Sequence, residues 1–320
     1  MFNYVIRRLL LMIPTVWLVT VICFLSVRFV PGSVIDLMVA EAARESSVNI
    51  EITASVIRHE LGMDVPILVQ YGRWVGAALQ GDLGRSLWTK RPVLEDISER
   101  LPVSLELGLL GLMIAILIAI PIGTFSAIRQ DTPGDYIGRT IAILFISLPS
   151  FWLGTMIVVY PSIYLNWSPP MVYIPLVKDP LANLGQFLIP GFILGMVMSG
   201  VTMRMQRTMM LEVLRQDYIR TAWAKGLRER TIIFRHAFKN ALIPVITIVG
   251  IQLSIMVGGS VVLEQIFTLP GIGRLLLEAL NKRDYPIISG INLVMAFFIL
   301  AMNLIVDLTY GFLDPRVKYK

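Results

Sequence analysis

The chain has one cysteine, Cys23, and two histidines, His59 and His236, in 320 residues. A single cysteine excludes an intramolecular disulfide and a cysteine metal cage. Lying in an apolar run, Cys23 reads as a small side chain facing lipid or a neighbouring helix. His59-Glu60 opens like the zinc pattern H-E-x-x-H, but Met63 stands where the second histidine belongs. No G-x-x-x-x-G-K-S/T run occurs, so no P-loop is available to cradle a nucleotide. Charge is scarce too: 16% of residues are charged, against about a quarter in soluble domains. Within the apolar blocks Asp307 is the main ionisable candidate, near one end of its block. A carrier driven by protons would place acids or histidines in mid-membrane.

What the chain has in excess is apolar surface. The hydrophobic fraction is 56% and the mean hydropathy +0.72. The excess sits in long blocks, the mark of a polytopic membrane protein. Six blocks are long enough to cross a bilayer: about 9–30, 103–128, 136–165, 185–203, 241–263 and 287–312. The first follows Arg7-Arg8 and is too long for a signal peptide, so it reads as a span entered from the cytoplasm. Pro121 lies inside the second block, and Glu106 near its outer end. Asp131-Thr132-Pro133-Gly134 marks a turn, and Pro149 and Pro161 are expected to kink the third span. Gly191, Gly195 and Ser199 form a small-residue stripe on the fourth, which lets helices approach closely. Gly258-Gly259-Ser260 in the fifth suggests a second close approach. The polar segment 31–102 carries helical patterns at about 54–61 and 66–79, broken by Gly62, Gly72, Gly81 and Gly84.

The net charge of +6 could suggest a nucleic-acid partner, but its position argues otherwise. Between Arg204 and Lys239 lie nine basic residues (Arg204, Arg207, Arg215, Arg220, Lys225, Arg228, Arg230, Arg235, Lys239) and three acidic ones (Glu212, Asp217, Glu229); 9 − 3 equals the whole formal charge. A cytoplasmic loop of a membrane protein is expected to be biased in this way. Basic residues at both chain ends and an even number of spans place both termini in the cytoplasm. Within the loop, Leu214, Tyr218 and Ala222, and separately Ile219 and Trp223, fall at helical spacing. Gly226 breaks the pattern. A second helical run follows, with Ile233, Ala237 and Ala241 on one side and Arg235 and Lys239 on another. Two short helices hinged at a glycine, between two spans, form a shape suited to docking.

At Tyr218-Ile219-Arg220-Thr221-Ala222-Trp223-Ala224-Lys225-Gly226-Leu227 and Asn240-Ala241-Leu242-Ile243-Pro244 the chain resembles the coupling (EAA) loop of binding-protein-dependent ABC importer permeases, most closely those for peptides and nickel. Gly62-Met63-Asp64-Val65-Pro66 with Gln70-Tyr71, Gly81-Asp82-Leu83-Gly84-Arg85-Ser86, Phe267-Thr268-Leu269-Pro270-Gly271-Ile272-Gly273, Arg283-Asp284-Tyr285-Pro286, and Asp307, Tyr310 and Asp314-Pro315-Arg316 resemble further signatures of the family. The order is the family's, and the likeness covers nearly the whole chain. It is weakest over 33–49 and 166–183. Two departures stand out. Ser33 follows Pro-Gly where the family often has Asp, and Trp223 stands where it usually has Arg, replacing a polar partner contact with an apolar one.

The resemblance implies an all-α polytopic protein, the type I ABC importer permease fold, with six transmembrane helices and a cytoplasmic coupling-helix loop. Its expected parts are a first helix in 1–30, an extracytoplasmic segment 31–102, and a five-helix core 103–320 containing the loop 204–240. It implies a bacterial or archaeal cytoplasmic membrane and a transport subunit without its own ATPase site. ATP and Mg would be held on two partner ATPase subunits; the chain itself holds no cofactor or metal. The other implied partners are a second homologous permease, an extracytoplasmic solute-binding protein and membrane lipid, with no nucleic acid. The residues implied to meet the ATPase are Asp217, Tyr218, Arg220, Thr221, Ala222, Lys225, Gly226 and Leu227. A secondary transporter or channel, a membrane scaffold or receptor, and an export-direction permease are the competing readings. Gly226→Asp is expected to reach the membrane in normal amount yet uncouple ATP hydrolysis from transport. Parallel assays of membrane content, hydrolysis and uptake check this.

Overall fold

The computed structural model describes residues 2–28 and 64–313. His59-Glu60, Gly62-Met63, Ser33 with the stretch to Asn49, and Asp314-Pro315-Arg316 lie outside these residues, as do the side chains of Asp307 and Tyr310. Among the described residues the regular structure is helical, with one isolated antiparallel bridge, Arg85–Pro92. The elements are α1 (Phe2–Arg28), α2 (Ile67–Leu79), α3 (Val93–Ile128), α4 (Pro133–Ser147), α5 (Ser150–Leu165), α6 (Pro180–Leu214), α7 (Asp217–Ala224), α8 (Phe238–Gly259), α9 (Val261–Ile266), α10 (Ile272–Lys282) and α11 (Tyr285–Leu313). Among the described residues four helical stretches are long and apolar enough to cross a membrane: Val93–Ile128, Pro180–Leu214, Glu229–Ser254 and Tyr285–Val306. The pair α4 and α5 is a fifth candidate, and α1 adds a shorter apolar stretch, Leu10–Leu25.

The third apolar block is not one kinked helix. α4 and α5 are bent by 86° to each other. Leu148 between them is extended, at φ −82° and ψ 120°, the conformation that the following proline ring imposes. Pro161 stays inside α5. Likewise Gly72 does not interrupt α2. Gly81 and Gly84 do end that run, at φ +84° and +86°, a region glycine enters without a Cβ penalty.

Two compact units divide the chain. The larger holds Pro102–Arg274 and the described residues from Ile299 onward. There α6 is central, packing against α8, α4 and α5. Its glycines permit this. A Cβ on Gly195 would stand 2.7 Å from the Gly111 carbonyl oxygen, and one on Gly191 2.8 Å from Leu110. The stripe therefore faces α3. Gly258 is different: nothing lies within 4 Å of a Cβ there, so the expected close approach in the fifth block is absent at that residue. In α8 it is Gly250 that meets a neighbour, the Val306 side chain.

The signature Phe267–Gly273 is wrapped around one buried carboxylate. Glu264 is fully buried. Its Oε1 accepts from Ser104 Oγ (2.6 Å) and Ser260 Oγ (2.7 Å), and its Oε2 from the Arg274 N–H (3.1 Å). Ser104 Oγ in turn accepts from the Ile272 N–H at 2.8 Å. A Cβ on Gly271 would run into the Glu264 carboxylate, and one on Gly273 into Val261 at 2.6 Å and then the same carboxylate at 2.9 Å, which accounts for both glycines.

The smaller unit holds α1 from Ile6, the described residues up to Leu101, and Leu275–Phe298. Phe24 of α1 packs edge-on to Tyr71 at 5.3 Å, and Thr20 Oγ1 hydrogen-bonds Tyr71 Oη at 2.8 Å. Two signatures far apart in sequence meet here. Buried Asp284 accepts from Ser86 Oγ (2.5 Å) and the Leu87 N–H (3.2 Å), and Trp88 Nε1 donates to the Lys282 carbonyl (2.9 Å). Arg91 donates to Glu99 (2.8 Å) and Glu95 (3.1 Å), and both bonds push its pKa up. Glu264 and Asp284 are both buried, so neither carboxylate contributes to a surface.

Gly195→Leu is expected to cost about 1–3 kcal/mol through overpacking, while Gly258→Ala is neutral or slightly stabilising. Thermal unfolding of the two variants in detergent tests the contrast.

Candidate coupling site

The polar stretch after the fourth block is shorter than its charges suggest. α6 continues to Leu214, so Arg204, Arg207 and Glu212 belong to a helix rather than a loop. The chain turns at Arg215-Gln216, and α7 begins with Gln216 extended at ψ 149°. Asp217 in the first turn complements the positive end of the helix. Its ion pair with Arg220 spans 3.2 Å, but both side chains are mostly exposed, so the pair adds little stability. Thr221 Oγ1 donates to the Asp217 carbonyl at 2.9 Å.

α7 ends in a Schellman arrangement. The Gly226 N–H donates to the Trp223 carbonyl (2.9 Å) and the Leu227 N–H to the Ala222 carbonyl (3.3 Å). Gly226 sits at φ +74°, the left-handed position that glycine supplies at a helix end. A Cβ there would meet nothing within 4 Å, so the need for glycine lies in the backbone rather than in space.

Leu214, Tyr218 and Ala222 do not share one apolar face, because the turn at 215–216 separates Leu214 from α7. Within α7 the buried pair is Ile219 (0% exposed) and Ala222 (7%). They sit in a cluster with Ala127 at the end of α3, Met210 on α6, and Ile232, Ile233, Ala237 and Ala241; Ile128, Met209, Leu211, Val213, Leu214 and Phe238 pack around it. The second arm is not a separate short helix. A turn, Glu229–Thr231, passes through a π-helical segment, Ile232–Ala237, directly into α8. Ile233, Ala237 and Ala241 are buried, and Arg235 and Lys239 exposed.

The remaining candidates face away from this seat. Tyr218 (44% exposed), Trp223 (49%) and Leu227 (39%) are exposed apolar side chains, and Asp217, Arg220, Thr221, Lys225 and Gly226 are exposed as well. Tyr218 Oη accepts from Asn240 Nδ2 at 2.9 Å, and the same amide donates to the His236 carbonyl at 2.8 Å. The Tyr218–Asn240 bond ties α7 to the start of α8, joining the two sequence stretches that carry the resemblance. Ala222 is turned into the core, where it seats the helix.

One group near the seat was not singled out from the sequence. Asp135, in the first turn of α4, is fully buried. It accepts from Arg207 Nε and Nη2, both at 2.7 Å, from the Asp131 N–H at 3.0 Å and from Ser126 Oγ. Arg139 Nε lies 3.5 Å away, and its guanidinium covers the Tyr136 ring at 4.4 Å. Breaking a buried pair of this kind costs about 3–5 kcal/mol, because it leaves one charge uncompensated. Beside it, Gln206 Nε2 donates to Thr124 Oγ1 at 2.9 Å, and Gly123 lets α3 and α6 close on each other. The only sequence signal was an acid at the start of an apolar helix. By its position in the sequence Arg207 reads as one of the loop cations.

Several helices long and apolar enough to cross a membrane, with a short, partly exposed helix between two of them, are the parts of a multi-pass membrane protein. The chain belongs to the family of binding-protein-dependent transport system inner membrane components: that description matches residues 119–319, and the family's N-terminal membrane component matches residues 1–108. It is therefore a permease subunit of the ABC importer type, in the inner membrane. It is 40% identical over 315 residues to a putative peptide transport system permease of Brucella abortus (strain 2308), covering 98% of each chain. It is 35% identical to the glutathione transport system permease protein GsiC of Salmonella paratyphi A and 34% identical to the dipeptide transport system permease protein DppB of Escherichia coli (strain K12), covering all of both chains in each case. A solved amino acid ABC transporter with histidines shares the fold, with a TM-score of 0.52 and 14% identity over 68% of this chain and 94% of that one. Among the described residues no cluster of three or more His, Cys, Asp or Glu could hold a metal.

Ile219→Ala is expected to cost about 2–5 kcal/mol by opening a cavity in the seat, whereas Trp223→Ala, on the exposed side, stays within about 0.5 kcal/mol of the parent. Denaturation of the two variants in detergent tests this division of α7 into a seated and a free face.

Proposed function

We propose that the chain is one half of a pore that imports peptides or a chemically related solute, powered by two ATPase subunits that grip the free face of α7. The observation that carries this reading is the division of α7. Ile219 and Ala222 anchor it in the bundle, while Tyr218, Trp223 and Leu227 remain exposed amid Arg220, Lys225, Arg228 and Arg230. An apolar surface ringed by cations fits a groove with an apolar floor and an acidic rim. Closure of the ATPases on ATP and Mg moves α7 as a rigid body. Because α7 rests on α3, α6 and the start of α8, the motion passes into the membrane helices instead of being absorbed by a loop. The Schellman end and the Tyr218–Asn240 bond stiffen that lever.

The pore is completed by a second, homologous permease. An extracytoplasmic solute-binding protein docks on the segment 31–102 and delivers the solute, with both chain ends and α7 in the cytoplasm. The peptide class is supported by the names of the relatives, which span dipeptide and glutathione systems.

Trp223→Asp tests the reading, since the side chain is exposed and its loss leaves the bundle intact. It is expected to lower association of purified permease with its ATPase subunits at least tenfold, with membrane content unchanged. Undiminished association would overturn it.

A further inference from the structure

The lever proposed above works only if its seat does not deform, and two of the helix ends that build it, those of α3 and α6, are far apart in sequence. Ala127 and Ile128 come from the end of α3, and Met209, Met210, Leu211, Val213 and Leu214 from the end of α6. Apolar packing by itself is non-directional. It would hold these ends together without fixing their register under load.

The groups that can fix register lie one turn or less away on each side. Ser126 directly precedes Ala127, and Arg207 lies three residues before Met210. Both bind the same carboxylate, that of Asp135. Arg207 does so through two parallel bonds, a geometry that sets orientation as well as distance. Asp135 cannot drift, because it also accepts the Asp131 N–H and belongs to the first turn of α4. Its full burial limits the water that can compete for these bonds, and a second cation, Arg139, lies 3.5 Å away.

We propose that Asp135 is a positioning residue for coupling: through Ser126 and Arg207 it locks the end of α3 to the end of α6 and so fixes the seat beneath α7. It touches neither solute nor nucleotide. This rests on the coupling role of α7. Where the lock is lost, the ATPases still bind and hydrolyse ATP, but part of their motion is spent in sliding α6 against α3.

The experiment uses the full complex in liposomes, with Cys23→Ala providing a cysteine-free background. Spin labels at Gln130→Cys, in the turn just past α3, and at Thr208→Cys, on α6, report the separation of the two helix ends. Asp135→Asn and the milder Arg207→Lys, which keeps the charge but loses the two-pronged geometry, are compared with the parent. The expected result is a broadened distance distribution and at least a fivefold fall in solute moved per ATP hydrolysed, larger for Asp135→Asn. Restoration of the narrow distribution by Asp135→Glu, with coupling returning in step, would add support. A variant that assembles with its ATPases and keeps the parental ratio of transport to hydrolysis overturns the proposal. So does lower yield or melting temperature with an unchanged ratio, which would make the cluster structural only. If Asp135→Asn does not accumulate, Arg207→Lys decides by the same two measurements. Failure of the parental permease to bind ATPases through α7 would instead sink the coupling role itself.

Discussion

A charged group can be buried in a helical bundle of this kind only where the chain supplies all of its partners, because lipid offers none and burial strips away water. Among the described residues the three most deeply buried carboxylates meet that demand, and each stands at a joint. Asp135 joins the α3–α4 turn to α6, Glu264 gathers α3, α9 and the start of α10, and Asp284 ties the loop after α2 to the α10–α11 corner. Long helices satisfy their own backbones and need no such help. The joints are where backbone groups are left over, so the few buried charges are concentrated there. This explains how a chain so poor in charge can still specify its connections.

Glycine does two separate jobs in the same structure. At Gly123, Gly191, Gly195 and Gly250 the missing Cβ lets one helix meet another. At Gly81, Gly84 and Gly226 the backbone is left-handed, and almost nothing lies near the missing Cβ. The first kind sets the spacing within the bundle, and the second ends helices where the chain has to turn. Gly226 is of the second kind, so its part in the lever is to stop α7 cleanly and send the chain back toward the bundle.

Much of this was legible in the sequence. Apolar blocks located the long helices, because a span must present an unbroken run of apolar side chains. The cationic stretch and the pattern around Gly226 located α7 and its end. What could not be read was where the helices stop. α6 runs on through Arg204 and Arg207, because a charged residue does not of itself end a helix and arginine is a good helix former. The third block breaks completely at Pro149 because Leu148 is forced extended, whereas Pro121 and Pro161 leave their helices continuous. A proline in the sequence does not say which of these will happen; the packing around it does.

The sequence alone determined that this is an α-helical membrane protein with a short helix ahead of Gly226, because hydropathy, residue spacing and glycine's freedom are local properties. Its ordered signatures likewise placed it among importer permeases. Only the tertiary structure decided which side of α7 is seated and which is free. Only there do Asp135 and Arg207, Ser86 and Asp284, or Tyr218 and Asn240 become partners. A hydrogen bond between residues 22 to 198 positions apart depends on where whole helices are placed, and no local pattern carries that information.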